Sequence, residues 1–179
     1  VDETVGLPTL IVLCGRSFSG KSTLGAALAE RWGAEVVSLD AINERRGLAS
    51  GHEIPVGEWR RTHGIARDEV GALLGRGRSV VLDDTSSMRF LRDGWREFAR
   101  EAGAAFALVF VDTPRDEIER RVRANRADPV RHDVQAVVLA RHLDGFEVPG
   151  ADEQPVVVGG AGVVDADEVV ARIRSALGA

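Results

Sequence analysis

The chain has 179 residues, 44% hydrophobic and 28% charged, an ordinary globular balance with room for one domain and a real core. A net charge of -5 argues against a broadly basic nucleic-acid binder, and a single cysteine excludes an internal disulfide framework and fits a reducing cytoplasm. No apolar run approaches the roughly 18 residues needed to span a bilayer, so no membrane partner is expected and a cytoplasmic location is.

Apolar runs and helical patterns alternate along the chain, which predicts an α/β fold with a mostly parallel sheet. Thr9 to Cys14 reads as a buried strand ending in glycine. A helix follows from Lys21 to about Trp32, with Leu24, Ala27 and Leu28 on one face. Glu35 to Leu39 reads as a second strand ending at Asp40, and residues 41 to 57 as loop and short helix. Glu58 to Leu74 is helical up to the break at Gly75-Arg76-Gly77. Ser79 to Leu82 is a third strand running into Asp83-Asp84-Thr85, and Arg89 to Ala102 a helix stopped by Gly103. Ala105 to Val111 is a fourth strand, after which Pro114 opens an arginine-rich helix. Val134 to Leu143 is helical, Val156 to Val158 a short fifth strand, and Asp167 to Leu177 a closing helix.

Between the first strand and its helix, Gly15-Arg16-Ser17-Phe18-Ser19-Gly20-Lys21-Ser22 fits G-x-x-x-x-G-K-[ST]. Glycines let the backbone curl so that successive N–H groups converge on phosphate oxygens, and the helix adds its positive end. The pattern predicts a nucleoside triphosphate, ATP with magnesium. Gly15, Ser17, Phe18, Ser19, Gly20, Lys21, Ser22 and Thr23 are the expected contacts, Lys21 reaching the β- and γ-phosphates and Ser22 the metal. The alternative, a glycine-rich turn with an incidental lysine, leaves unexplained why a buried strand precedes it and an apolar-faced helix follows.

Three further features favour a small kinase over other P-loop proteins. Asp40, at a strand's carboxyl end, is placed to accept the proton of an attacking hydroxyl; it also suits a helix cap, and the roles can coexist. Asp83-Asp84 after an apolar strand matches a Walker-B arrangement, in which one carboxylate faces the site and the other caps the turn with Thr85; Asp83 is the metal candidate. The segment Arg115 to Arg131 carries Arg120, Arg121, Arg123, Arg126 and Arg131, as expected of a lid over about 115–133 that stabilises charge on a transferring phosphoryl group. A solvated helix face paired with Asp116, Glu117 and Glu119 is the competing reading. Asn125-Arg126-Ala127-Asp128 is rejected as a guanine reader, because it lies at a helix end and has arginine in place of lysine.

In motif order the chain resembles the P-loop kinases that include polynucleotide 5′-kinase, zeta-toxin-like kinases and chloramphenicol phosphotransferase. The supporting residues are the P-loop, Asp40, Asp84-Thr85 followed by Arg92, Trp95 and Phe98-Ala99, then Val111-Asp112-Thr113-Pro114 and Phe146-Glu147-Val148-Pro149. The resemblance implies a three-layer fold with strand order 2-3-1-4-5, and makes Asp40 the base, Lys21 and Ser22 the triphosphate and magnesium contacts, and Lys21 and a lid arginine part of the catalytic set. It also implies Asp84 near the acceptor or metal and Arg92 at a conformationally important turn, with Arg121 and Arg123 near the nucleotide. One departure is visible: the family often spaces lid arginines four apart, but four after Arg121 comes Asn125, so Arg126 is favoured for the γ-phosphate.

The insert from about 41 to 64 should form much of the acceptor pocket, with Arg45, Trp59 and His63, alongside Asp84 and Arg92, as candidate contacts; His52 is a candidate on the same footing as His63. The four histidines show no metal-ligand spacing, and Gly159-Gly160-Ala161-Gly162 is either a border of the adenine site or a bare turn. The expected activity is transfer of the ATP γ-phosphoryl group to a small-molecule hydroxyl such as an antibiotic, nucleoside or sugar. Alternatives are the 5′-hydroxyl of a single-stranded nucleic-acid end, a nucleotide sugar, or a nucleotide-dependent switch without an acceptor.

Overall fold

Five short runs of mainly apolar residues form one parallel sheet: β1 (Thr9–Cys14), β2 (Glu35–Ser38), β3 (Val80–Asp83), β4 (Ala105–Asp112) and β5 (Val156–Gly159). Their order is β2-β3-β1-β4-β5, with β1 hydrogen-bonded between β3 and β4 in the register Val12↔Leu82 and Val12↔Leu108. The computed structural model describes residues 6–48, 53–130 and 133–178; His52, Arg131 and His132 lie outside them.

A central parallel strand is covered on both faces, so β1 is apolar throughout and buried at all six positions. Because side chains alternate, Leu10, Val12 and Cys14 point to one layer and Ile11 and Leu13 to the other. The first layer is closed by α2 (Leu39–Arg45), α3 (Val56–Leu74) and α4 (Arg89–Glu101), through Ile42, Ala66, Val70, Trp95 and Ala99. The second is closed by α1 (Lys21–Trp32) and α7 (Ala166–Leu177), through Leu24, Leu28, Val169 and Ile173.

A third apolar cluster stands apart from the sheet. Ile118 and Val122 of α5 (Arg115–Ala127) pack with Val138, Leu139 and Leu143 of α6 (Ala136–Asp144), and Phe18 of the P-loop joins them. The expected lid segment is thus fastened to the phosphate cradle by a shared core.

The element boundaries depart from expectation at β2, which ends at Ser38 rather than Leu39. The Ser38 side chain accepts from the Ala41 N–H and starts α2 at Leu39, so Asp40 lies in a helix's first turn and Ser38 is the cap. A 3-10 turn, η1 (Ala151–Glu153), lies between α6 and β5 and supplies a buried carboxylate discussed below.

Candidate active site

The P-loop links β1 to α1 at the sheet's carboxyl edge. Gly15 brings the chain close: a Cβ there would sit 2.9 Å from both Ser19 Oγ and Val111 O and 3.3 Å from Lys21 Cδ. Phe18 takes the left-handed region at φ 63, unusual for a bulky residue, and its ring is 6% exposed within the lid cluster. Packing of the ring holds the backbone reversal in place. Lys21, the first residue of α1, donates to Arg16 O at 3.1 Å, so its arm lies over the loop. Ser19 Oγ is buried with no hydrogen-bond partner among the described residues. A loop kept free of side-chain bulk, with a buried hydroxyl left over and a lysine arched across it, fits a polyphosphate.

The rear of the cradle is clamped. Ser19 O accepts from Thr113 Oγ1 at 2.9 Å and from the Arg121 guanidinium at 2.9 Å. Arg121 also donates to Phe18 O at 3.1 Å and to Gly160 O, and is oriented by Glu117 at 2.7 Å. Arg120 and Arg121 hold the Glu117 carboxyl down at about 2. Arg126, expected at the γ-phosphate, is instead held by Asp133 at 2.9 Å and Val134 O at 3.3 Å, where it closes the α5–α6 connection. Five residues along a helix turn it about 140° from Arg121. Arg123 projects from the exposed side of α5. Asn125, four after Arg121, is 5% exposed and accepts from the Val130 N–H.

Beside this clamp lies a cavity of about 770 Å³, bounded by Gly20, Thr23 and Ala27 on α1's side, Ala124 and Asn125 on α5, and Gly162 and Val164 after β5. The size and the mix of apolar and polar lining suit a nucleoside. The glycine run after β5 is therefore part of a pocket wall.

On the opposite face, the ends of β2 and β3 bring carboxylates together. Ser38 and Asp83 are register partners, so Asp40 and Asp84 lie just past the ends of adjacent strands. Asp84 is 9% exposed, and its Oδ2 accepts from Ser86 N at 3.0 Å and Ser86 Oγ at 3.3 Å. Asp84, with Ser86 rather than Thr85, therefore caps the turn. Asp83 continues the face of Val81, which α1 covers and whose first turn carries Ser22. Among the described residues no three His, Cys, Asp or Glu side chains gather as a metal cage. Magnesium generally needs no such cage, since it keeps waters and phosphate oxygens as ligands.

His142, on α6, was not singled out in the sequence. Burial of part of its ring and the neighbouring Arg141 charge push its pKa down, opposed by Asp40 and Asp84.

Arg92, expected among acceptor contacts, is corrected: its side chain is 1% exposed and forms an ion pair with Glu153 at 2.6 Å. It donates further to Ser86 O and Glu147 O, each at 3.0 Å, and so braces the loop that carries Asp84. Nothing in the sequence marks Glu153, 61 residues away, as its partner. Arg45 pairs with Glu69 of α3, while Trp59 and His63 lie half-buried on α3 with ring centroids 6.2 Å apart.

A lysine-bearing G-x-x-x-x-G-K-S loop between β1 and α1, in strand order 2-3-1-4-5 with a helical flap clamped to it, defines a P-loop α/β fold. The chain belongs to the AAA domain family, whose model AAA_33 matches residues 10–149. It is 34% identical over 116 residues to adenylyl-sulfate kinase of Saccharomyces cerevisiae, covering 62% of this chain and 56% of that one. It is 48% identical over 48 residues to tRNA dimethylallyltransferase of Xylella fastidiosa, covering 27% of this chain and 15% of that one. The chain thus spans well under two thirds of either relative. The Mycobacterium tuberculosis APS kinase CysC, solved in complex with AMPPNP and APS, matches in fold with a TM-score of 0.68 at 19% identity, covering 96% of this chain and 98% of that one.

Proposed function

We propose that the chain transfers the γ-phosphoryl group of ATP to a hydroxyl of a small molecule. The observation that carries this reading is the pair of faces on either side of the P-loop. One holds a nucleoside-sized cavity, and the other holds an exposed carboxylate, Asp40, just past the end of β2.

In the proposed reaction the acceptor oxygen forms a bond to the γ-phosphorus as the bond to the β,γ-bridging oxygen breaks. ADP leaves, and the hydroxyl proton passes to an Asp40 carboxylate oxygen. Lys21 and the loop N–H groups hold the donor phosphates, and Arg121, already on the cradle, adds fixed positive charge beside them. Magnesium, with Ser22 and Asp83 as its protein ligands, supplies charge neutralisation on the phosphate oxygens when bound.

A small acceptor is favoured over a nucleic-acid end by the state of the insert's arginines. Arg45 pairs with Glu69, and Arg46 and Arg61 share Glu58, so three of the four cations a backbone grip would use already have partners, and among the described residues Arg60 alone of them has no ion pair. The test is a screen of hydroxyl acceptors with γ-labelled ATP, repeated with Asp40→Asn. Transfer should fall by roughly 100- to 10,000-fold while nucleotide affinity persists. Unchanged turnover removes Asp40 from the mechanism, and slow hydrolysis with no labelled acceptor favours a nucleotide switch.

A further inference from the structure

Arg16 differs from four other arginines around the site. Arg46, Arg92, Arg121 and Arg141 each meet a carboxylate. Arg16 is half-buried and has no ion pair among the described residues; its guanidinium lies over the Phe146 ring, 4.7 Å from the centroid. Phe146 is in turn stacked on Phe110 of β4, with centroids 6.0 Å apart, so the platform is rigid. A cation–π contact engages the face of the guanidinium and leaves its N–H groups without an acceptor.

The direction of the side chain is fixed by its neighbours. Phe146 packs in the layer that contains Cys14, Leu39 and Ile42, on the face opposite α1. Its neighbour Glu147 bonds through its N–H to Ser87 O, beside the Asp84 turn. Arg16 is also absent from the lining of the nucleoside cavity. It therefore stands on the acceptor side, where Asp40 and Asp84 lie just past the ends of β2 and β3.

We propose that Arg16 receives an oxyanion group of the phosphoryl acceptor, so that the substrate is a small hydroxyl compound bearing a carboxylate, sulfate or phosphate. This rests on the acceptor-side reading above. A planar fork held flat on an aromatic ring presents parallel N–H groups of the kind that bind such anions bidentately. It also explains how an acidic substrate approaches two carboxylates: Arg16 takes its charge and leaves the hydroxyl to Asp40.

The test has two arms. In the first, the protein is loaded with AMPPNP and magnesium, and sulfate is titrated at constant ionic strength held with chloride. The Arg16 Nε–H resonance, assigned by its loss in Arg16→Lys, is followed throughout. A saturable shift with a midpoint on the order of 10 mM or tighter supports the site, and no shift at about ten times that overturns it. In the second, γ-labelled ATP is offered with matched pairs, D-gluconate against sorbitol and glucose 6-phosphate against glucose, which separates carboxylate from phosphate as the source of the anion. Wild-type preference for an acidic member, reduced about tenfold or more in Arg16→Gln and partly restored in Arg16→Lys, supports the proposal. Preference for the neutral members overturns it and leaves the kinase reading intact. A saturable sulfate shift with no transfer to any hydroxyl keeps the anion site and sinks the kinase reading.

Discussion

Ser19 O is the atom through which two segments hold the phosphate loop, Thr113 after β4 and Arg121 on α5, and Gly160 is tied in because its carbonyl shares the Arg121 guanidinium. A Cβ at Gly160 would lie 1.7 Å from Thr113 Oγ1, 2.9 Å from Thr113 Cβ and 3.0 Å from Ser19 O. Rotating Thr113 away relieves the first contact only, and drops its bond to Ser19 O. Gly160→Ala should therefore destabilise the protein by about 1–3 kcal/mol, with weaker nucleotide binding measured by calorimetry. At Gly162, on the same loop, a Cβ meets nothing within 4 Å. Gly162→Ala should stay within about 0.5 kcal/mol of wild type by denaturant melts. Equal effects of the two substitutions would show that Gly160 packing has no bearing on the clamp. Cys14 belongs to the same tight neighbourhood: burial pushes its thiol up to about 12, and its Sγ donates to Ser86 O at 3.5 Å.

Between elements, the Arg92–Glu153 pair joins α4 to η1 and, through Ser86 O and Glu147 O, fixes two loops beside Asp84. Removing one member of a buried pair leaves the other uncompensated, so Arg92→Met should cost about 3–5 kcal/mol at neutral pH. Folding holds the Glu153 carboxyl below its ordinary 4.5, chiefly through the Arg92 hydrogen bonds. The pair's stabilisation is therefore present above about pH 4.5 and is lost as pH falls through the folded value. Wild type and Arg92→Met should consequently converge in stability as the medium is acidified. A gap between their urea midpoints that stays constant from pH 7 to pH 3 would contradict this. The pair also marks where sequence reading ended. The P-loop, the five strands and most helices were legible, because each is encoded by periodicity or spacing within about 20 residues. The partner of Arg92 and the choice between Arg121 and Arg126 depend on how distant segments meet. Asp40's element was misplaced by one residue because Ser38 competes with the strand for the backbone, a contest that an apolar run does not reveal.

At the scale of the molecule, the phosphate loop couples the sheet to the flap. Phe18 is part of the α5–α6 cluster, yet its backbone belongs to the curl that receives phosphate. Arg121 bonds loop carbonyls on one side and is oriented by Glu117 of its own helix on the other. Nucleotide that orders the curl should therefore order α6, which lines no part of the cavity, together with α5, which does. A ligand at about 100 times its dissociation constant stabilises the native state by about 2.7 kcal/mol. For a chain of this length that corresponds to a rise in Tm of roughly 5–10 °C. AMPPNP with magnesium should produce such a rise, and amide exchange should slow in 115–127 and 136–144 together with the P-loop. Phe18→Ala should keep much of the protection at the loop while losing it in the two helices, because the loop's N–H groups remain but the ring that joins them to Ile118 and Val122 is gone. Lys21→Ala should lose both responses by weakening the nucleotide itself. Protection of α5 and α6 that survives Phe18→Ala undiminished would mean that the flap responds to the nucleotide directly, through the cavity wall at Ala124 and Asn125, and not through the loop.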